Sequence, residues 1–295
     1  MFGGKVFCEE PLVAVRFASE EADNQCNYCF HFFPKPLRCN GCRRARYCST
    51  GCQKADWTLH KLECKHFAQS NWVILETIVN FSSIESLPIE ESSYSYLLMV
   101  LRLYLMHKSG ILDDKCGAGF GKRYSDLRYN KGFKKGVLQA SLTERLLSCF
   151  PSLGRLRWDD EKFIRKAFDI VKINSPLLYY CAPNGNIVSS CRCLGLDTPH
   201  FKHSCSPNAY IIGNGRKANI TSYMNTESCL NLSSLTIDYL PEPRRLLNVN
   251  TGAQYVKIMF ETTCPCDKCK LEEEWNDSDN AVEERISFCE YCGVL

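Results

Sequence analysis

Between Cys26 and Cys64 the chain carries eight residues of the types that bind zinc, grouped as four short pairs. They read Cys26-x2-Cys29, Cys39-x2-Cys42, Cys48-x3-Cys52 and His60-x3-Cys64. Zinc takes four tetrahedral ligands from cysteine thiolate and histidine nitrogen, so eight ligands make two closed sites. The last two pairs are spaced i,i+4. On a helix that spacing places both side chains on one face, where a pair can grip one ion. The stretch is too short and too polar to bury a core of its own, so metal must supply much of its folding free energy.

The elements that hold these residues follow from local pattern. A helix is expected over 50–64, after the third cysteine pair begins. Ahead of the pairs, Val6-Phe7 and Leu12 to Val15 read as short strands split by Pro11. Behind them, apolar residues at helical spacing predict helices over 71–81, 93–107, 136–149 and 159–172, with Asp159 capping the last. The glycines of Gly117-Ala-Gly-Phe-Gly121-Lys122 suggest a phosphate loop only superficially. Arg123 stands where that motif needs Ser or Thr, so 110–122 reads as a plain flexible loop. After Asn174 the texture changes to short β-rich pieces at 177–181, 187–188, 209–212, 218–223 and 235–239. Turn signals at 183–186 and 213–215 separate them, which suggests a compact set of small sheets. The polar stretch 272–284 reads as helix.

Composition narrows the class. The chain has 295 residues, room for about two domains, and 20 cysteines. No apolar signal-peptide core follows Met1, so the thiols are expected reduced and metal-binding rather than paired as disulfides. The sequons at Asn80, Asn219, Asn231 and Asn276 are then coincidental. The most apolar run, 96–106, is interrupted by Arg102 and is shorter than the ~20 residues a bilayer demands, so no membrane span is expected. Net charge is +3, with Lys35, Arg38, Arg43, Arg44, Arg46, Lys54 and Lys61 crowding the metal-binding stretch. Such a patch can recruit an acidic partner or DNA, or simply keep a small module solvated. The solvated reading is favoured. DNA binding is not expected, because no helix concentrates arginine on one face and no base-reading motif is present.

Three features together resemble the SET and MYND domain-containing protein-lysine methyltransferases. The eight-ligand module, with Tyr47, Gln53, Trp57 and His60, is similar to a MYND finger. Phe201-Lys-His-Ser-Cys-Ser-Pro-Asn208 is similar to the family's Asn-His-Ser-Cys-x-Pro-Asn signature. Leu235-Thr-Ile-Asp-Tyr239-Leu, followed by Cys264-x-Cys266-x2-Cys269, is similar to its tyrosine strand and post-SET segment. The resemblance implies an α+β fold: a SET-type β-fold of small sheets, an inserted finger, a helical insert and a zinc-binding post-SET segment. It divides the chain into 1–25 (N-terminal SET), 26–64 (finger), 65–173 (helical insert), 174–263 (SET core) and 264–295 (post-SET).

By the same resemblance, Cys205, Cys264, Cys266 and Cys269 share a third zinc, and Tyr239 orients the amine and methyl during transfer. The cofactor is S-adenosylmethionine, contacted by Asn174, Lys202, His203 and Phe260; for His203 the backbone is the expected contact. The substrate is a lysine of a histone or another protein. Gln53 and Trp57 line a groove for a proline-containing peptide, with Trp57 alternatively belonging to the finger's own small core. An inactive SET–MYND adaptor working through that groove is the competing reading. Cytoplasm and nucleus, and a monomer, are expected.

The chain departs from the family pattern in four places. It begins at the equivalent of the second strand, after the family's Gly-x-Gly turn. Lys202 replaces the signature asparagine. Thr262 and Phe260 replace aromatic and tyrosine positions, and Leu232-Ser-Ser-Leu235 replaces Gly-Glu-Glu-Leu. Cys289-x2-Cys292 reads either as half of another zinc site or as plain thiols.

Overall fold

The computed structural model describes residues 5–16, 24–71, 92–129, 137–181, 187–223, 232–239, 264–267 and 269–270. The expected helices over 71–81 and 272–284, the 183–186 turn, Phe260, Thr262, Cys289 and Cys292 lie outside them, Asn71 excepted, which is not helical.

Two compact units divide the chain. The larger holds Lys5–His200 and Ile211–Thr221; the smaller holds Phe201–Tyr210 and the chain from Ser222 onward. The larger unit is built on a six-stranded sheet. Its strands are β1 (Lys5–Glu9), β2 (Val13–Arg16), β5 (Leu177–Cys181), β6 (Ile187–Leu194), β8 (Ala209–Asn214) and β9 (Lys217–Ser222). They lie in the order β1-β9-β8-β5-β6-β2. Pairing is antiparallel for β1–β9, β2–β6 and β5–β6, and parallel for β5–β8.

Four helices accompany the sheet among the described residues: α1 (Thr50–Ala68), α2 (Ser92–Lys108), α3 (Val137–Cys149) and α4 (Trp158–Asn174). Helix α2 packs on α4, α1 and β2. Leu97, Met99, Val100, Leu101, Leu103 and Met106 are all fully buried along it, as expected of a helix apolar on every side. Arg102 sits in the middle of this run and is also buried. Its guanidinium makes two hydrogen bonds to the Glu63 carboxylate of α1, one of them Nη2 to Oε2 at 2.8 Å, and one from Nη1 to the Ala14 carbonyl of β2 at 3.0 Å. One side chain thereby ties the finger helix, the insert helix and the sheet. Burial pulls the guanidinium down, and the Glu63 charge and hydrogen bonds outweigh it, so Arg102 stays charged.

Helix α4 buries Ile164, Ala167, Phe168 and Val171, an i,i+3,i+4,i+7 stripe. It begins at Trp158, one residue earlier than the expected 159–172. Asp159 is not its cap. Asp160 Oδ2 accepts from the Arg157 N–H at 3.2 Å, because the third position of the helix, not the second, reaches back to the capping backbone.

The loop over 110–122 is not a plain flexible one. Its Gly119 and Phe120 N–H groups donate to the Asp197 carboxylate at 2.6 and 2.9 Å. A Cβ on Gly117 would strike Asp197, and one on Gly119 would strike the Phe7 ring. The loop does bind an anion, through the Gly119 and Phe120 N–H groups, and that anion is the protein's own carboxylate. Glu9 does the same next door: it accepts from the Leu196, Asp197 and Thr198 N–H groups and the Thr198 hydroxyl.

Candidate metal centres and the tyrosine strand

The finger belongs to the larger unit. Its two Cys-x2-Cys turns share one backbone design. The Phe30 N–H bonds the Cys26 carbonyl at 3.0 Å, and the Arg43 N–H bonds the Cys39 carbonyl at 2.8 Å. Phe30 and Arg43 have positive φ, 61° and 58°. A left-handed conformation costs a non-glycine residue roughly 1–2 kcal/mol, and both turns sustain it where it aims two sulfurs at one point. A two-stranded ribbon, β3 (Leu37–Arg38) with β4 (Arg46–Tyr47), leads into α1. The Ser49 hydroxyl caps α1 by accepting from the Cys52 N–H at 3.1 Å, which places Cys52 in the first turn.

The ligands group alternately along the chain. Cys26, Cys29, Cys48 and Cys52 form one cluster; Cys39, Cys42, His60 and Cys64 form the second; all ligand atoms within each lie within 4.8 Å of one another. The first and third pairs share a site, and the second and fourth share the other, so the two sites brace one another across the ribbon. A tetrahedral zinc with bonds of about 2.3 Å to sulfur and 2.0–2.1 Å to nitrogen sets S···S near ~3.8 Å and S···N near ~3.6 Å. Observed separations are 3.7 Å for Cys29–Cys48, 3.8 Å for Cys39–Cys64 and 3.6 Å for Cys42 Sγ to His60 Nε2. The donor sets and spacings fit zinc at both finger sites. Thiols this close cannot all ionise without a cation: a hydrogen bond from Cys29 pulls Cys26 down to about 5, while its partner Cys29 is pushed up.

The buried face of α1 is charged. Asp56, His60, Glu63 and His66 are all buried there, with Phe67. Each has its reason. Asp56 Oδ2 accepts from the buried Tyr47 hydroxyl at 2.8 Å. His60 points Nε2 at its cluster and has the Glu63 carboxylate 4.0 Å from Nδ1. Glu63 holds Arg102. His66 Nδ1 is 2.7 Å from the Ser152 hydroxyl. At the edge of this face Trp57 is 49% exposed, with Gln53 one turn earlier and partly buried. The covered half of Trp57 faces the buried His60 ring, centroids 5.9 Å apart.

A third cluster lies in the smaller unit. Cys205, Cys264, Cys266 and Cys269 again bring their sulfurs within 4.8 Å, with Cys269 to Cys205 at 3.6 Å. These values also fit tetrahedral zinc. The adjoining scaffold is a parallel pair, β7 (Lys202–His203) with β10 (Thr236–Ile237), in the register Thr236↔Lys202 and Ile237↔His203. Asn208 locks it: its Oδ1 accepts from the Thr236 N–H at 2.7 Å and its Nδ2 donates to the Ser234 carbonyl at 3.1 Å. Tyr239 follows β10 and is buried, its hydroxyl donating to the Phe201 carbonyl at 3.2 Å. Lys202 is exposed and His203 largely buried. Burial holds the His203 imidazole below its usual range.

Asn174 ends α4 in the larger unit and is completely buried. Its Nδ2 donates to the Arg128 and Ile170 carbonyls at 2.7 and 2.8 Å, while Oδ1 has no protein partner. A cavity of about 480 Å³ opens in the same unit beside the finger helix and the β1–β2 turn. It brings together none of the residues expected to do chemistry.

The sequence is similar to known proteins. The MYND finger family matches residues 26–64. SET domain-containing protein 14 of Caenorhabditis elegans is 23% identical over 275 residues, covering 90% of this chain and 55% of that protein. SET domain and MYND-type zinc finger protein 6 of Schizosaccharomyces pombe is 24% identical over 280 residues, 94% of this chain and 50% of that protein. N-lysine methyltransferase SMYD2 of Homo sapiens is 39% identical over 70 residues, 23% of this chain and 16% of that protein. The chain thus spans about half the length of the relatives it matches along most of its own.

Proposed function

We propose, from the premise that this chain belongs to the SET and MYND domain-containing family, that it is an S-adenosylmethionine-dependent protein-lysine N-methyltransferase. The observation that carries the reading is Tyr239: it stands buried at the end of the strand paired with the Lys202–His203 segment, its hydroxyl anchored on the Phe201 carbonyl. Relatives named as methyltransferases support it.

Bound S-adenosylmethionine supplies an electrophilic methyl group. A lysine amine attacks only when neutral, which costs about 4–5 kcal/mol at pH 7 from a pKa near ~10.4. An apolar channel lowers that cost, so alignment rather than a strong base carries the rate. Tyr239 is assigned that alignment, with its hydroxyl held in one direction. Asn174 is assigned to the cofactor because its buried Oδ1 is an acceptor without a protein partner. Lys202 and His203 contribute backbone, since the exposed Lys202 ammonium would oppose a sulfonium. Phe260 completes the assignment by resemblance. The three zinc ions are structural, closed by four protein ligands each.

The test is labelled-methyl transfer to lysine-containing protein substrates by wild type and Tyr239→Phe. Transfer that falls roughly tenfold or more in the variant, with zinc content unchanged, is expected. Equal transfer would remove Tyr239 from the mechanism.

A second property rests on Trp57. Its half-exposed ring lies one helical turn from Gln53 and offers a face for a proline-containing peptide. Trp57→Ala should abolish binding of such a peptide while leaving zinc content intact; binding that survives would remove the groove. Cytoplasm and nucleus are the proposed locations, as a monomer; among the described residues no helix is long and apolar enough to cross a membrane.

A further inference from the structure

His203 has a second connection, through its ring. Nε2 lies 3.3 Å from Cys205 Sγ, a member of the third metal cluster. On the other side of the ring, Nδ1 accepts from the Tyr239 backbone N–H at 3.3 Å. An Nδ1 that accepts has no proton, so in the neutral ring the proton is on Nε2 and faces sulfur. Two acceptors also lie near the ring. The Asp238 carboxylate is 3.6 Å away, beyond a hydrogen bond. The Ile237 carbonyl also lies by the ring and accepts from the Ser204 N–H at 3.1 Å.

We propose that His203 is a positioning residue of the third metal centre: its Nε2–H donates to the Cys205 thiolate while its Nδ1 holds the backbone of Tyr239. One imidazole then links the metal to the candidate tyrosine. The reason is electrostatic. Four thiolates around a divalent cation leave an excess of two negative charges, and an N–H aimed at one sulfur offsets part of it. Partners of this kind orient metal ligands, and their loss typically lowers metal affinity about 10–100-fold. The parallel register of Ile237 with His203 brings the two ring contacts together, because it places the Tyr239 amide beside the ring. The zinc half of the proposal does not depend on methyl transfer; only the role of Tyr239 rests on the function proposed above.

Cadmium-113 substitution of the full chain tests it. Proton–cadmium correlation spectra are expected to show coupling from the His203 Nε2–H to the cadmium held by Cys205, with Nδ1 unprotonated in the nitrogen spectrum. Two variants separate the two contacts. His203→Gln places an N–H near the original Nε2 and should keep most of the metal affinity. His203→Asn mimics only Nδ1 and should release metal from that centre about 10–100-fold faster, with both finger sites unchanged. Absence of the coupling in the wild-type protein overturns the proposal, and so does equal metal release from both variants. The spectra need no activity, so their failure is distinguishable from failure of the methyltransferase reading.

Discussion

In the finger, the metal ligands stand on a scaffold that the rest of the larger unit also holds. Buried Phe30 packs near the Tyr180 ring of β5, centroids 6.1 Å apart, and Glu63, between His60 and Cys64, is clamped by Arg102 of α2. In the smaller unit, the buried cluster around the third centre consists, among the described residues, of Cys205, Cys264, Cys266 and Cys269 themselves. The same donor chemistry therefore serves two ends. The finger's metals brace a module that a large core also fastens. In the smaller unit Phe201, Leu235, Ile237 and Tyr239 are buried as well, and the segments beside the third centre are held by hydrogen bonds such as those of Asn208 and His203.

Removing zinc is the largest perturbation, since structural zinc in finger peptides binds with roughly 10–16 kcal/mol of apparent free energy. A strong chelator should open the smaller unit first. Hydrogen exchange across Phe201–Tyr210 should become fast while α2 and α4 stay protected. Loss of α2 protection at the same chelator concentration would erase the contrast between the two regions.

Next in size is the clamp. Arg102→Met leaves the Glu63 carboxylate buried without its partner and should cost about 3–5 kcal/mol in denaturant unfolding. Adding Glu63→Gln should recover part of that loss. A cost below ~1 kcal/mol would mean that the ion pair does not fasten the finger to the core.

Asp197→Ala removes a charged acceptor from two N–H groups of the glycine loop and should cost about 1.5–3 kcal/mol, read as a lowered unfolding midpoint. Faster amide exchange at Gly119 and Phe120 should accompany it; unchanged exchange there would restore the plain-loop reading. Ser49→Ala, which removes the α1 cap, should cost about 1 kcal/mol and weaken metal binding at the Cys26 cluster more than at the Cys39 cluster. Equal weakening at both would show that the cap does not place Cys52 specifically.

Much of this was legible from spacing. Four ligand pairs announce two zinc sites because metal coordination tolerates few arrangements, and the helix carrying two pairs follows from i,i+4. The helices at 93–107, 136–149 and 159–172 match α2, α3 and α4 within a residue or two. Other features were hidden for physical reasons. Asp56 and Glu63 carry no signal of their own in the sequence, since nothing local reveals that Tyr47 and Arg102 wait on the other side. Arg102 reads as an interruption of an apolar run, although it is the centre of the contact among three elements. Asp197 is far in sequence from the glycines it binds, so the loop's anion cannot be read from the loop. His203 carried a backbone role in the signature, while its ring contacts depend on β7 pairing with β10, a two-residue match that no periodicity reveals.

The most direct measurement of the central claim is calorimetric titration of S-adenosylmethionine into the zinc-loaded chain. Saturable binding in the micromolar range, about −8 kcal/mol or somewhat weaker, is expected, reduced when Asn174 is replaced by Ala. No binding heat, with all three zinc ions in place, would contradict the assignment of this chain as a methyltransferase.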